Sequence, residues 1–242
     1  MTAISHRQAH VSPAQLAATR AAWHRVAEHV LAAARYAATG HIGLAPTPAG
    51  FQTPPFGAGR AYLAVDGTDL VVGDVAGARR APLTTIRAAA SFAGVTPGAP
   101  AQVYQPATPL DLDQPLLIDP GAARLLAGWY GLGNQGMSQF AAGLPGGPPT
   151  AAVLWPEHFD LGITAGAVNY GASPGDGYCP VPYLYASPHD GPPPGEPAFW
   201  NAPFGAVRTI EQIGTAAGAA AFFRTARARL RAVPASHPGR MS

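Results

Sequence analysis

The chain has 242 residues, 48% of them apolar and only 12% charged, so it holds enough hydrophobic material for a real core and is excluded from the charged, disordered class. Its formal net charge of +2, carried by fifteen Arg and no Lys, is too small to indicate nucleic acid as a partner. A single cysteine, Cys179, excludes an intramolecular disulfide and a cysteine-based zinc cluster. With no long apolar run and no apolar region at the N-terminus, the expectation is a soluble cytoplasmic protein without a membrane partner.

Ser12-Pro13-Ala14-Gln15 opens the chain's first element with a capping-box pattern, and Leu16, Trp23, Val26, Val30 and Leu31 follow at helical spacing. A helix over 13–38 is expected, ended by Gly40. Arg20, His24 and Glu28 share another face of it at i, i+4 and i+8, where weak, solvated ion pairs are the expectation. From His41 the period becomes that of short strands, at 42–45, 62–65 and 70–72, with Asp66-Gly67 as a hairpin signal. A Pro/Gly loop between the first two holds Phe51 and Phe56, whose rings are expected to pack on the sheet. A short helix from Pro82 through Phe92 stops at Gly94.

Five prolines between residues 95 and 119 argue for an irregular crossing segment. Asp111, Asp113 and Asp119 cluster there without the spacing of a calcium loop, so Asx turns and a helix cap are expected rather than a cation. Asp119-Pro120 starts a helix over 120–142, with a kink or break expected at Gly131-Leu132-Gly133. A last helix over 209–232 ends in Arg224, Arg227, Arg229 and Arg231, which suit a helix C-terminus and are expected to be solvated.

The stretch from Thr150 to Asp190 concentrates the chemistry. It contains Cys179, two of the eight His, four of the eight Tyr and one of the four Glu. Read as a strand, Trp155–Ile163 puts Phe159, Leu161 and Ile163 on one side. His158 and Asp160 then fall on the other, about 7 Å apart along the strand. Such a pair can hold a proton near neutral pH, with His158 as acid/base and Asp160 orienting it. Glu157, Asn169, Tyr183 and Tyr185 can join them as ligand-binding residues of one concave site. The competing reading is a half-solvated antiparallel strand whose polar face simply meets water.

Gly171-Ala172-Ser173-Pro174-Gly175 matches GxSxG in letters, but a nucleophile elbow needs a strand followed by a helix, and Pro174 and the next prolines block one. Cys179 lies between Tyr178 and Pro180 with no cationic neighbour in sequence to activate it. No HxH, HxxxH or HExxH occurs, so no metal site is expected, and no cofactor is indicated.

The segments HVLAAARYAATGHIGLAPTPAGF, RAPLTTIRAAASFAGV and LWPEHFDLG…NYGASPGDGYCPVPYLY…FWNAPFGA together resemble a family of uncharacterised actinobacterial proteins, over roughly His29 to Arg231. The resemblance implies one cytoplasmic unit and brings no catalytic role to any residue. The expected architecture is α+β: one or two small antiparallel sheets packed by three long helices in a single domain. Two similar αβ halves, 12–94 and 119–232, are suggested by the echo of TPPFGAG near Phe56 in NAPFGAV near Phe204. The expected function is binding of a small molecule or protein through the aromatic, Pro/Gly-rich surface around 150–205. The alternative is a small-molecule hydrolase or isomerase built on His158 and Asp160.

Overall fold

Ser12 starts the first helix as its pattern requires. Its hydroxyl accepts the Gln15 amide N–H, the Gln15 side chain accepts the Ser12 N–H, and Pro13 takes the first helical position. In the computed structural model, which describes residues 11–145, 151–193 and 196–232, this helix has three parts. α1 (Pro13–Val26) widens into a π-helical turn (Ala27–Ala32) and continues as α2 (Ala33–Thr39), which Gly40 ends in the left-handed region at φ 72°.

Two antiparallel five-stranded sheets follow, each a meander in chain order. The first contains β1 (Ala45–Thr47), β2 (Gly50–Gln52), β3 (Tyr62–Asp66), β4 (Asp69–Asp74) and β5 (Gly77–Pro82). The second contains β6 (Val153–Trp155), β7 (Asp160–Thr164), β8 (Val168–Ser173), β9 (Tyr183–Pro188) and β10 (Ala206–Thr209). Their first strands meet: Leu44 and Leu154 exchange backbone hydrogen bonds of 2.8 and 2.9 Å across an antiparallel bridge. Between the sheets in sequence come α3 (Ile86–Ala93) and the long α4 (Pro120–Ala141), and the chain continues through α5 (Ile210–Ile213) and α6 (Ala216–Ala232). The fold is α+β. The order helix, five-stranded meander, helix occurs in both halves, but the echoing Phe56 and Phe204 segments occupy different connections, β2 to β3 in one and β9 to β10 in the other.

α4 lies across the seam, packing on β1 and β2 of one sheet and β7 and β8 of the other. It passes Gly131-Leu132-Gly133 without a break, because two of its glycines are contact points. A Cβ on Gly133 would lie 2.5 Å from the Ala172 Cβ, and one on Gly136 would lie 2.5 Å from the Ala219 Cβ. Close approach to β8 and α6 offsets the propensity penalty of about 1 kcal/mol per glycine. The other two expected long helices differ: the first contains the π turn, and the last is split by left-handed Gly214 at φ 63°. The shared core has Trp23, Phe51, Tyr130 and Phe159 at its centre, with Phe140, Tyr170 and Phe223 under α4 and α6.

Candidate functional site

Trp155 to Ile163 is not one strand. Trp155 pairs with Asp160 across a β6–β7 hairpin, and residues 156–159 form its turn. His158 is therefore an exposed turn residue, not a strand neighbour of Asp160 on one face. The physical reason is Phe159, which adopts φ 53° and so reverses the chain where an extended residue would carry it on. For a residue with a Cβ the left-handed region costs about 1–2 kcal/mol, and here the surroundings impose it. The Phe159 N–H donates to the Trp155 carbonyl at 2.7 Å, and the Tyr130 hydroxyl donates to the Phe159 carbonyl at 2.7 Å. Its ring is clamped by a stacked His24 at 5.0 Å and edge-on Phe51 and Tyr130 at 5.4 and 5.8 Å.

Beside this turn lies a cleft of about 730 Å³, walled by α1, residues 107–108, the 157–160 turn, the end of β8 and the start of β9. All six residues singled out from the sequence, Glu157, His158, Asp160, Asn169, Tyr183 and Tyr185, line it. A second cavity of about 360 Å³ shares Glu157, His158, Asp160, Asn169 and Tyr185 on its wall, so the concavity continues past these side chains toward Trp155.

Tyr185 is the organising side chain. It pairs with Gly171 across β8 and β9, and Gly171 pairs with Gly162 across β7 and β8. A Cβ at Gly171 would fall 2.4 Å from the Tyr185 ring, so the absent side chain lets the ring lie flat over β8. The hydroxyl thereby reaches β7 and donates to Asp160 Oδ2. Asp160 Oδ1, however, is buried and has no hydrogen-bond partner among the described residues, and the same holds for Glu157 Oε2. Asp160 thus bonds Tyr185 and not His158. Burial pushes the Asp160 carboxyl above its ordinary pKa, which the Tyr185 bond and the nearby His158 pull back in part. Burial raises Glu157 likewise, opposed by a backbone hydrogen bond and then by His158. The Tyr185 hydroxyl is raised well above its ordinary value, by burial first and by the Asp160 charge second.

The polar face of the first helix is not a solvated one. Arg20 Nη1 donates to the Pro180 carbonyl at 2.9 Å and the Pro174 carbonyl at 3.3 Å, and its burial lowers the guanidinium pKa. His24 Nε2 donates to the Pro156 carbonyl at 2.8 Å, and desolvation lowers its pKa. Glu28, fully buried, accepts the Ala107 N–H at 2.9 Å, the Thr108 N–H at 2.8 Å and the Thr108 hydroxyl. His29 Nδ1 accepts the Ala99 N–H at 3.1 Å while Nε2 donates to the Thr108 carbonyl at 3.1 Å. The 99–109 segment is therefore tied onto the π turn by backbone-to-side-chain bonds, and it covers the face that would otherwise meet water. The i, i+4, i+8 spacing was the available signal for Arg20 and His24. What it lacked was the segment, roughly 70–80 positions away, that buries Glu28.

Asp176 and Ser173 complete that end of the cleft. Asp176 accepts the Tyr178 and Cys179 N–H groups at 2.8 and 3.0 Å and the Tyr183 hydroxyl at 2.5 Å. Ser173 is buried at the end of β8, its Oγ accepts the Gly175 N–H at 3.1 Å, and a loop rather than a helix follows, so the GxSxG letters form no elbow. Asn169 lies at the outer rim, held by the Thr164 hydroxyl at 2.8 Å and near His189. Away from the cleft, Asp111 caps its own turn, Asp113 pairs with Arg87 at 2.7 Å, and Asp119 caps α4. Among the described residues no group of three or more His, Cys, Asp or Glu is placed to hold a metal ion, and no helix is long and apolar enough to cross a membrane.

The arrangement offers hydrogen-bond acceptors and aromatic walls in one half-open cleft, with Arg20 Nη1 and His24 Nε2 already engaged by backbone carbonyls. Comparison of the chain with protein-family models, curated proteins and solved structures returns no match, so the chemistry of the cleft is read from its own geometry.

Proposed function

We propose that the chain binds a small polar molecule in the cleft between its first helix and its second sheet. The observation that carries this reading is the pair of buried carboxylate oxygens, Glu157 Oε2 and Asp160 Oδ1, left without partners among the described residues in two side chains that line a cleft of about 730 Å³. Buried polar atoms in folded proteins are nearly always hydrogen-bonded, and each orphan costs about 1–3 kcal/mol. Two in side chains that line one cleft support the reading that they are kept for a ligand. Tyr183, Tyr185 and Phe204 give that ligand apolar surface, as small-molecule sites require.

The test is a screen of small polar compounds by protein-observed NMR. Hits should shift resonances of Glu157, Asp160, Tyr183 and Tyr185 and should lose affinity in Tyr185→Phe, which removes the hydroxyl that positions Asp160. Hits that shift only resonances elsewhere would refute the assignment.

A hydrolase or isomerase with His158 as acid/base is the second reading. It is favoured by the place of His158 on the same cleft wall as Glu157 and Asp160. Since Asp160 bonds Tyr185, it would act on His158 through charge rather than through a hydrogen bond. Turnover of a cleft ligand that vanishes in His158→Ala while binding persists would establish this reading over binding alone.

A further inference from the structure

Resting on the cleft as a binding site, the charges around it identify the class of ligand. Three carboxylates line it, Glu157, Asp160 and Asp176, against one guanidinium, Arg20, and two imidazoles, His24 and His158. Arg20 Nη1 donates to two backbone carbonyls and His24 Nε2 donates to a third, so both side chains are already partly satisfied by the chain itself. Asp176 accepts two N–H groups on Oδ1 and the Tyr183 hydroxyl on Oδ2. That leaves Glu157 and Asp160, each with one oxygen shielded from solvent and without a partner.

A neutral ligand with hydroxyl groups can donate to such oxygens but brings no countercharge, and ionising a buried carboxyl without one is far more costly than leaving a neutral hydrogen bond unmade. A cationic donor supplies both the hydrogen bonds and the countercharge. The walls suit it as well: Tyr183 and Tyr185 stand 6.4 Å apart between ring centroids at 57°, and Phe204 lines the same cleft, so aromatic faces are available to the carbons that flank an ammonium. We infer that the cleft takes a protonated amine, whose nitrogen is received by Glu157 and Asp160 and whose alkyl portion rests against Tyr183, Tyr185 and Phe204.

The experiment titrates the full chain with three probes of equal length, 1,4-diaminobutane, 1,4-butanediol and succinate, by calorimetry and by NMR of the cleft residues. The diamine is expected to bind with shifts at Glu157, Asp160, Tyr183 and Tyr185, at least tenfold more tightly than the diol, and succinate is expected not to bind. Glu157→Gln and Asp160→Asn should each weaken the diamine at least tenfold. If one variant does not fold, by thermal unfolding, the other carries the test. Diol or succinate binding in the cleft as tightly as the diamine, or diamine binding that both variants leave unchanged, would overturn the charge assignment while the cleft remains a binding site. Shifts confined to other regions, or none with all three probes, would overturn the assignment and the cleft together.

Discussion

Replacing Glu28 by Gln tests whether the buried face of the first helix holds the 99–109 segment in place. The carboxylate accepts three hydrogen bonds, from the Ala107 N–H at 2.9 Å, the Thr108 N–H at 2.8 Å and the Thr108 hydroxyl, with zero exposure of its own. Gln keeps the shape and one acceptor oxygen but turns an NH2 group toward a donor, so at least one backbone N–H loses its partner and the remaining bonds lose their charge assistance. Bonds to charged groups contribute roughly 1.5–3 kcal/mol and a stranded buried donor costs roughly 1–3 kcal/mol, partly offset because the carboxylate no longer has to be desolvated. The net expectation is a loss of about 3 kcal/mol, read from the urea midpoint at unchanged m-value. Hydrogen exchange adds a local readout: amides 99, 107 and 108 should lose protection more than those of β8 and β9. A stability change under about 0.5 kcal/mol with those amides still protected would refute the reasoning.

Four further expectations follow from the same geometry. Tyr130→Phe removes the donor to the Phe159 carbonyl and should cost about 1–2 kcal/mol in urea unfolding while loosening the 156–159 turn. Gly171→Ala puts a Cβ 2.4 Å from the Tyr185 ring; by displacing that ring it should cost about 1–3 kcal/mol and reduce cleft binding, whereas an unchanged Tyr185 side-chain NMR signal would contradict the packing described. His29 must be neutral to accept the Ala99 N–H, and burial holds its pKa below the ordinary 6.5. The unfolded chain then binds the proton first, so stability should fall as pH drops below about 6.5. Glu157 and Asp160, raised by burial, act in the opposite sense, gaining stability as pH falls through their folded pKa values. A shallower acid loss in His29→Gln than in the wild type, compared by urea midpoints between pH 5 and 8, isolates the histidine term. His158→Ala should change stability by no more than about 0.5 kcal/mol, because His158 is an exposed turn residue.

Local patterns that need only a few neighbouring residues were legible in the sequence. The Ser12–Gln15 capping box, the Asp119 cap, the stops at Gly40 and Gly94 and the α+β class all rest on interactions within one or two turns. The co-location of Glu157, His158, Asp160, Asn169, Tyr183 and Tyr185 was also legible, because they sit on successive strands and one connecting turn of a single meander, where sequence neighbours stay close in space. Tertiary structure decided what no local rule could. Phe159 is left-handed because His24, Phe51 and Tyr130, from three distant elements, fix its ring and carbonyl, and that reversal moved His158 off the strand and gave Asp160 to Tyr185. Likewise Arg20, His24 and Glu28 have the spacing of a wet helix face, yet Glu28 is buried and Arg20 and His24 half-buried because a remote proline-rich segment, the β8–β9 loop and the 156–159 turn lie over them. The dielectric around a charged side chain is set by whatever covers it, and here the covering groups come from other parts of the chain.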